Sequence, residues 1–134
     1  MKKLKVTIEI TKNGNEGYIC TCEYPFDHFD LGGSGSTVEE AKKDCFAFYD
    51  AMKEVYPDES FPELEVDWVY DFPSFFNNFD FLNQSKAAKY MGMSPSNFRH
   101  YAAGSKRMSQ KQFIKVREGF EKMANELKES TLTM

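Results

Sequence analysis

The chain is poor in the side chains that hold metals. Its 134 residues include 3 cysteines and 2 histidines, and the histidines do not form a pair with the spacing of a zinc finger or a zinc protease. Because a structural zinc site needs about four ligands, we interpret Cys20, Cys22 and Cys45 as reduced residues of a hydrophobic core. We therefore expect neither a metal nor another cofactor.

The sequence also has no long hydrophobic run. No segment approaches the roughly 18 apolar residues that a transmembrane helix needs. The opening MKKLKVTIEI begins with basic residues, but Glu9 interrupts it and no small-residue cleavage site follows. We therefore expect a cytoplasmic protein without a membrane partner, and the hydrophobic content of 41% is sufficient for a folded core.

One long segment contains no carboxylates. Residues 81–117 include neither Asp nor Glu, although the whole chain has a formal charge of -4. Residues 1–80 contain 7 Lys and Arg against 17 Asp and Glu, a balance of -10, and residues 81–134 contain 10 against 4, a balance of +6. This asymmetry indicates that the basic half contacts nucleic acid or another polyanion and that the acidic half contacts a basic partner.

Alternating apolar and polar residues in the acidic half predict strands. Residues 4–10 and 18–24 alternate with a period of two, and the turn dipeptide Asn13-Gly14 lies between them, so we predict a hairpin. A third short strand is expected within residues 27–36, where several glycines occur, and residues 64–71 alternate again. Four strands are therefore expected.

A helix is predicted between the last two strands. Thr37 and Glu40 have the spacing of a capping box, and Pro57 is expected to end the helix. Apolar residues follow the capping box at steps of three and four, which is typical of one face of a helix. They are Val38, Ala41, Cys45, Phe48, Met52 and Val55. The expected order is β-β-β-α-β, an α+β domain.

We divide the chain into an α+β domain at residues 1–72, an aromatic-rich joint at 73–81 and an all-α helix-turn-helix domain at 82–130. The segment 71–81, DFPSFFNNFDF, contains five phenylalanines, which is too many for a free linker. We expect these side chains to fill a core, to dock the two halves or to lie in an interface.

Residues 84–104 have the spacing of a helix-turn-helix. Ala88 is the small residue at the crossing of the two helices, and Gly92 allows a left-handed turn. Ser94 can cap the second helix with Pro95 at its first position, and Gly104 ends it. The apolar residues expected to hold the two helices together are Ala87, Met91, Met93, Phe98 and Tyr101.

The second of these helices is predicted to enter the major groove of DNA, where Asn reads adenine and Arg reads guanine. Its candidate DNA contacts are Ser94, Ser96, Asn97, Arg99 and His100. Basic residues around it suit phosphates, where charge positions the protein without reading sequence. They are Lys86, Lys89, Lys106, Arg107 and Lys111. The alternative is an ordinary helical hairpin with no DNA-binding role.

A last helix is predicted to begin after Ser109, which forms a second capping box with Gln112. Its apolar seam consists of Phe113, Val116, Phe120, Met123 and Leu127. We expect Phe113 and Val116 to pack on the helix-turn-helix, and the others could pack there or on a second chain. A homodimer or higher oligomer is expected, because two-fold symmetric proteins read palindromic half-sites.

Two motifs resemble the HicB family, antitoxins of HicA-HicB toxin-antitoxin pairs. Residues 17–25, GYICTCEYP, are similar to that family's glycine-aromatic strand ending in proline, and residues 33–41, GSGSTVEEA, to its glycine-rich turn into a capped helix. With the C-terminal helix-turn-helix, the likeness covers most of the chain. Residues 26–33, FDHFDLGG, depart from the family's usual proline-glycine pair, so toxin contacts there are not transferable.

The resemblance implies a reduced RNase H-like N-terminal domain that binds and covers HicA, a small basic RNA-cleaving toxin. It also implies a C-terminal domain that binds the operator and represses the operon. We therefore expect an antitoxin and not an enzyme. One alternative is a stand-alone repressor whose N-terminal domain only dimerises or binds a partner.

Two further alternatives concern a nuclease and a nucleotide site. A metal-dependent nuclease would use Glu9, Asp67 and Asp71, but Glu9 and Asp67 alternate with core residues and suit a solvated face. A nucleotide site at GGSGS would need the Gly-Lys-Ser/Thr of a phosphate loop, which is missing.

Overall fold

The computed structural model describes residues 3–134, which form four strands and five helices. The strands are β1 (Lys3–Lys12), β2 (Tyr18–Cys22), β3 (Gly32–Gly35) and β4 (Glu63–Tyr70). The helices are α1 (Val38–Val55), α2 (Phe72–Asn78), α3 (Gln84–Tyr90), α4 (Pro95–Ala103) and α5 (Gln110–Glu129). The chain divides into two compact units, of which the first ends at Asn78 and the second is Phe79–Met134. Across the described residues, no helix is long and apolar enough to cross a membrane.

The first unit contains a mixed sheet with the strand order β3-β2-β1-β4. The strands β1 and β2 form the predicted antiparallel hairpin, with Ile8 opposite Cys22. β2 and β3 also pair in an antiparallel manner. The last strand, β4, runs parallel to β1, with Leu4 opposite Leu64. The predicted order β-β-β-α-β and the α+β class are therefore confirmed.

The hydrophobic core lies between one face of this sheet and α1. On β1 the side chains of Val6, Ile8 and Ile10 are buried, whereas the residues between them are exposed or nearly so. The three cysteines are free and buried, as expected for core residues. Burial raises the pKa of the Cys45 thiol to about 12, with the neighbouring Cys20 and Cys22 adding to the shift. These thiols stay protonated at neutral pH.

The buried face of α1 differs from the prediction at its C-terminal end. Tyr49 is buried and its hydroxyl donates to the Pro62 carbonyl at 2.6 Å, whereas Val55 is 57% exposed. Because each helical residue turns by about 100°, Tyr49 lies about 20° from Val38 around the axis and Val55 about 100° away. The expectation for Val55 was wrong, since its spacing takes it off the buried face.

The strand β3 lies against α1 at unusually close range. A Cβ atom on Gly33 would lie 2.4 Å from the Cys45 backbone nitrogen and 2.8 Å from the Ala41 carbonyl oxygen. Thr37 caps the helix by accepting from the Glu40 amide at 3.1 Å, as predicted. The glycines of this segment therefore allow backbone-to-backbone packing between a strand and a helix.

Part of the predicted joint belongs to the first unit. The Ser74 amide donates to the Asp71 carboxylate at 2.9 Å, which caps α2, and the buried Ser74 hydroxyl accepts from the Lys12 amide at 2.8 Å. Phe76 is buried, whereas Phe81 is 77% exposed. The predicted boundary is at residue 72 and the predicted joint at 73–81, whereas the first compact unit ends at Asn78 and so includes α2.

In the second unit α5 has a narrow buried face. Val116 is 5% exposed, and a Cβ atom on Gly119 would lie 2.4 Å from the Met91 Cγ atom. Phe113 is 47% exposed, with the Arg117 guanidinium 5.9 Å from its ring centroid. The expectation that Phe113 packs on the preceding helices was therefore wrong, because it lies to one side of the buried face. Val116 is buried on this face, and Gln112, Gly119, Phe120 and Met123 beside it are half-buried.

Candidate nucleic-acid interface

The end of α3 is fixed by a glycine turn. Gly92 has a φ of +72, a backbone conformation that favours glycine. The Met93 amide donates to the Ala88 carbonyl at 2.8 Å, and the Gly92 amide donates to the Lys89 carbonyl at 3.1 Å. These two hydrogen bonds form a Schellman motif, which satisfies the last carbonyls of the helix. The chain direction between α3 and α4 is set locally.

The helix α4 begins and ends as the sequence predicts. Ser94 is the N-cap and accepts from the Asn97 amide at 3.4 Å, and Pro95 occupies the first helical position. At the other end Gly104 has a φ of +79, and the Ser105 amide donates to the His100 carbonyl at 3.0 Å. Both ends of this nine-residue helix are therefore defined by side chains or by glycine.

The interface between α3 and α4 is apolar and close. Ala88 and Phe98 are fully buried, and Met93 and Tyr101 are almost so. A larger side chain at Ala88 would separate the two helices, since no space surrounds it. The remaining predicted anchors, Ala87 and Met91, are also buried. This packing holds the outward face of α4 in one orientation relative to α3.

Three candidate base-reading side chains are held by hydrogen bonds from neighbours. The exposed Arg99 donates from Nη1 to the Ser85 hydroxyl at 2.9 Å, and Nδ1 of the exposed His100 lies 3.0 Å from the Ser105 hydroxyl. The half-buried Asn97 accepts through Oδ1 from Lys106 Nζ at 3.0 Å. Its amide NH2 and the other guanidinium donors of Arg99 remain available for a base edge. Ser96 is exposed beside them.

The candidate phosphate contacts are all exposed cations without ion-pair partners. Among residues 3–134, every ion pair lies in the first unit, so no carboxylate neutralises the basic side chains of the second. Lys106 also lies 5.8 Å from the Tyr101 ring centroid. The exposed candidates are Lys86, Lys89, Lys106, Arg107 and Lys111. A surface with unpaired cations suits a polyanion.

One further cation belongs to this surface but was not among the predicted residues. Lys115 Nζ donates to the Gly92 carbonyl at 2.9 Å, which brings the start of α5 to the turn between α3 and α4. It borders a cavity of about 100 Å³ with Ser94, Asn97 and Gln112. The position of Lys115 in the carboxylate-free segment was the available signal, but its contact with Gly92 depends on how α5 folds back.

The alternative nucleotide site at GGSGS is occupied by the protein's own carboxylates. The Ser34 amide donates to Asp44 Oδ2 at 2.9 Å, and the Ser36 amide donates to Glu40 Oε2 at 2.9 Å. The Ser36 hydroxyl and amide hold the pKa of the Glu40 carboxyl below its usual range. A phosphate here would meet two negative charges instead of free amide groups.

The three carboxylates of the alternative nuclease site do not have a common role in the structure. Glu9 and Asp67 lie on the exposed face of the sheet, and Asp71 caps α2. Within the part of the chain that the structure describes, no group of three His, Cys, Asp or Glu side chains could hold a metal ion.

The class of the protein is thus an α+β fold with a four-stranded mixed sheet, followed by a unit of three helices. Comparisons with protein-family models, with curated proteins and with solved structures found no match. The likeness to HicB and the helix-turn-helix assignment therefore remain predictions from the sequence.

Proposed function

We propose that the protein is a cytoplasmic antitoxin of the HicB type without enzymatic activity. Its acidic first unit neutralises a basic, HicA-like RNA-cleaving toxin. Its second unit represses the operon through α3 and α4, which act as a helix-turn-helix.

The observation that carries the DNA-binding part is the unpaired basic surface around α4. The segment 81–117 contains eight Lys and Arg and no carboxylate, and within the described chain none of these cations forms an ion pair. An ordinary helical hairpin has no need for a surface without acidic residues. The exposed Arg99 lies on the helix whose N-terminal part would enter the groove.

The two HicB-like motifs meet in the first unit, which supports reading them together. A Cβ atom on Gly17, in the first motif, would lie 2.1 Å from the carbonyl oxygen of Gly35, in the second. Gly17 also has a φ of +113, so its conformation and its close contact both favour glycine. The motif glycines therefore serve one packing contact between β2 and β3.

A homodimer is proposed through the exposed apolar side chains of α5. Phe113, Ile114 and Leu127 are 47%, 38% and 70% exposed, respectively. Phe113 and Leu127 lie about 40° apart around the helix axis, so they share one side of α5, which is typical of a surface covered by another chain. Two copies would also present two recognition helices to a palindromic operator.

Binding of the purified protein to its own upstream DNA tests the repressor part. Fluorescence anisotropy is measured with the upstream duplex and with a scrambled duplex of equal length over a series of salt concentrations. Five phosphate-contacting cations per subunit predict a log-log salt slope of about -4.5 per subunit, and the upstream duplex is expected to bind more tightly. Equal binding to both duplexes, or none, would remove the operator from the proposal.

Co-expression with the product of the neighbouring gene tests the antitoxin part. A short basic reading frame beside this one should be toxic alone and harmless when this protein is present. Operator binding without growth rescue would instead support the stand-alone repressor, whose first unit only dimerises or binds another partner.

A further inference from the structure

A groove in the first unit is lined by the loop that departs from the HicB pattern. It has a volume of about 250 Å³, and its walls come from the start of β1, the segment 24–29 and the segment 59–62. The lining residues are Leu4, Tyr24, Phe26, Asp27, Phe29, Glu59 and Phe61, with Pro25, Ser60 and Pro62 between them. The groove has no role in the DNA-binding surface.

Four of its ten lining residues are aromatic. Phe26 stacks on Phe29 with ring centroids 4.8 Å apart, and Phe29 stacks on Phe61 at 6.0 Å. Tyr24, which is 40% exposed, lies 4.6 Å from Phe26. A ring face that is not covered by a neighbouring ring attracts a cation within about 6 Å. The groove therefore presents aromatic rings that can attract positive charge.

Carboxylates stand at the edge of this aromatic groove, and its described lining includes no Lys or Arg. Asp27 and Glu59 line it, and the segments 22–33 and 54–63 contain seven Asp and Glu but no Lys or Arg. Glu59 accepts from the His28 imidazole, which stacks on Tyr56 with ring centroids 4.8 Å apart. Within residues 3–134 the Asp27 side chain makes no ion pair, so its charge is available to a ligand.

The size and charge of the groove select its ligand. Small-molecule sites are usually about 300–1,000 Å³, so this groove is suited to a side chain rather than to a cofactor. Phosphates and nucleic acids are repelled by the carboxylates. A lysine or arginine side chain satisfies both features, because its apolar stem packs on aromatic rings while its charged end reaches the carboxylates.

We propose that this groove binds a lysine or arginine side chain from a basic segment of a protein partner. The inference rests on the proposed function in one respect, since the toxin is then the partner that supplies the side chain. The proposal assigns the contact with the toxin partly to the segment 26–33, where this chain departs from the HicB pattern. The groove would also explain why Tyr24 and Asp27 remain exposed without a partner charge.

Amide NMR spectra of the full chain test the groove directly. The probe is a glycine-serine peptide with two arginines, and its control is the same peptide with citrulline, which keeps the shape but not the charge. Saturating shifts confined to the amides of 24–29 and 59–61 are expected for the arginine peptide alone. Equal shifts with citrulline, or shifts spread over the exposed face of β4, would overturn the proposal.

Matched variants separate the groove from general acidity. Asp27→Asn is expected to lower the affinity for the arginine peptide about two- to fivefold, as for the loss of an exposed charge pair. Asp67→Asn removes the same charge from β4 and should leave the affinity unchanged. Equal effects of both variants would overturn the proposal. Concentration-dependent shifts at 24–29 without any peptide would assign the groove to a second copy of the chain and would also overturn it.

A toxin-binding assay distinguishes failure of the groove from failure of the proposed function. Asp27→Lys should weaken toxin binding tenfold or more, because it places like charges together, whereas Asp67→Lys should not. If the parent protein binds and both variants bind equally, the groove is wrong and the antitoxin function stands. If the parent does not bind a toxin but the arginine peptide shifts the amide signals of the groove, the groove proposal is supported and the antitoxin function is wrong.

Discussion

The glycine beneath α1 gives a prediction whose magnitude follows from distances. Replacing Gly33 with alanine would place a Cβ atom 2.4 Å from the Cys45 nitrogen and 2.8 Å from both its Cα atom and the Ala41 carbonyl oxygen. Ordinary contacts of this kind are 3.4 Å or longer, so α1 must move by about 1 Å. Because all three neighbouring atoms are backbone, no side-chain rotation can relieve the overlap.

Overpacking of this kind costs about 1–3 kcal/mol of the free energy of unfolding. For a unit of this size, about 2 kcal/mol lowers the melting temperature by about 8–16 °C. The chain has one tryptophan, Trp68, and it lies on β4. Its fluorescence during thermal unfolding therefore reports on the first unit alone.

Ser34→Ala is the matched control, since it changes the next residue of the same strand. The Ser34 side chain is exposed, and the backbone amide that donates to Asp44 is retained. This variant should melt within about 2 °C of the parent, as is usual for surface substitutions. If Gly33→Ala also melted within that range, the close packing of β3 on α1 would not be a determinant of stability.

The remaining predictions concern the DNA surface, the second helix and the buried thiols. Arg99→Ala should weaken operator binding by about 1–3 kcal/mol and relax its specificity. Lys106→Ala should weaken binding to all DNA sequences alike and reduce the salt slope by about 0.9. Fluorescence anisotropy with the upstream and scrambled duplexes measures both effects. If both variants bind like the parent, the recognition surface is misplaced. Ser74→Ala leaves the Lys12 amide without its partner and should lower the free energy of unfolding by about 1–3 kcal/mol. Urea unfolding followed through Trp68 fluorescence measures this loss, and an unchanged midpoint would contradict the role of the hydrogen bond. The thiol of Cys45, with its pKa raised to about 12, should resist iodoacetamide at pH 8 in the folded protein and react once urea unfolds it, because only the thiolate attacks; rapid labelling of the folded chain would show that it is accessible.

Local signals in the sequence predicted the elements of the fold well. The caps at Thr37, Ser94 and Ser109 each accept from the amide three residues later, as their spacing requires. These features depend on neighbouring residues only. The same holds for Gly92 and Gly104, whose left-handed conformations end α3 and α4.

Contacts between distant residues could not be predicted in the same way. The burial of Tyr49 depends on where α1 crosses the sheet, and the contact of Lys115 with Gly92 depends on how α5 folds back. For the short helix α2, Asp71 and the following Pro73 are a local signal, but the aromatic sequence favours a joint over a helix. Its place is fixed by a hydrogen bond from Lys12, far away in the chain.

The pairing of β1 with β4 has a consequence for how the chain is made. β1 lies between β2 and β4 in the sheet. β2 follows β1 closely in the sequence, whereas β4 comes much later, since Lys3 pairs with Glu63 and Ile10 pairs with Tyr70. During synthesis the hairpin and α1 emerge while β1 still has a bare edge of amide and carbonyl groups. The ribosome must therefore release β4 before the sheet closes, and a chain cut after residue 62 would expose an edge ready to pair with other strands.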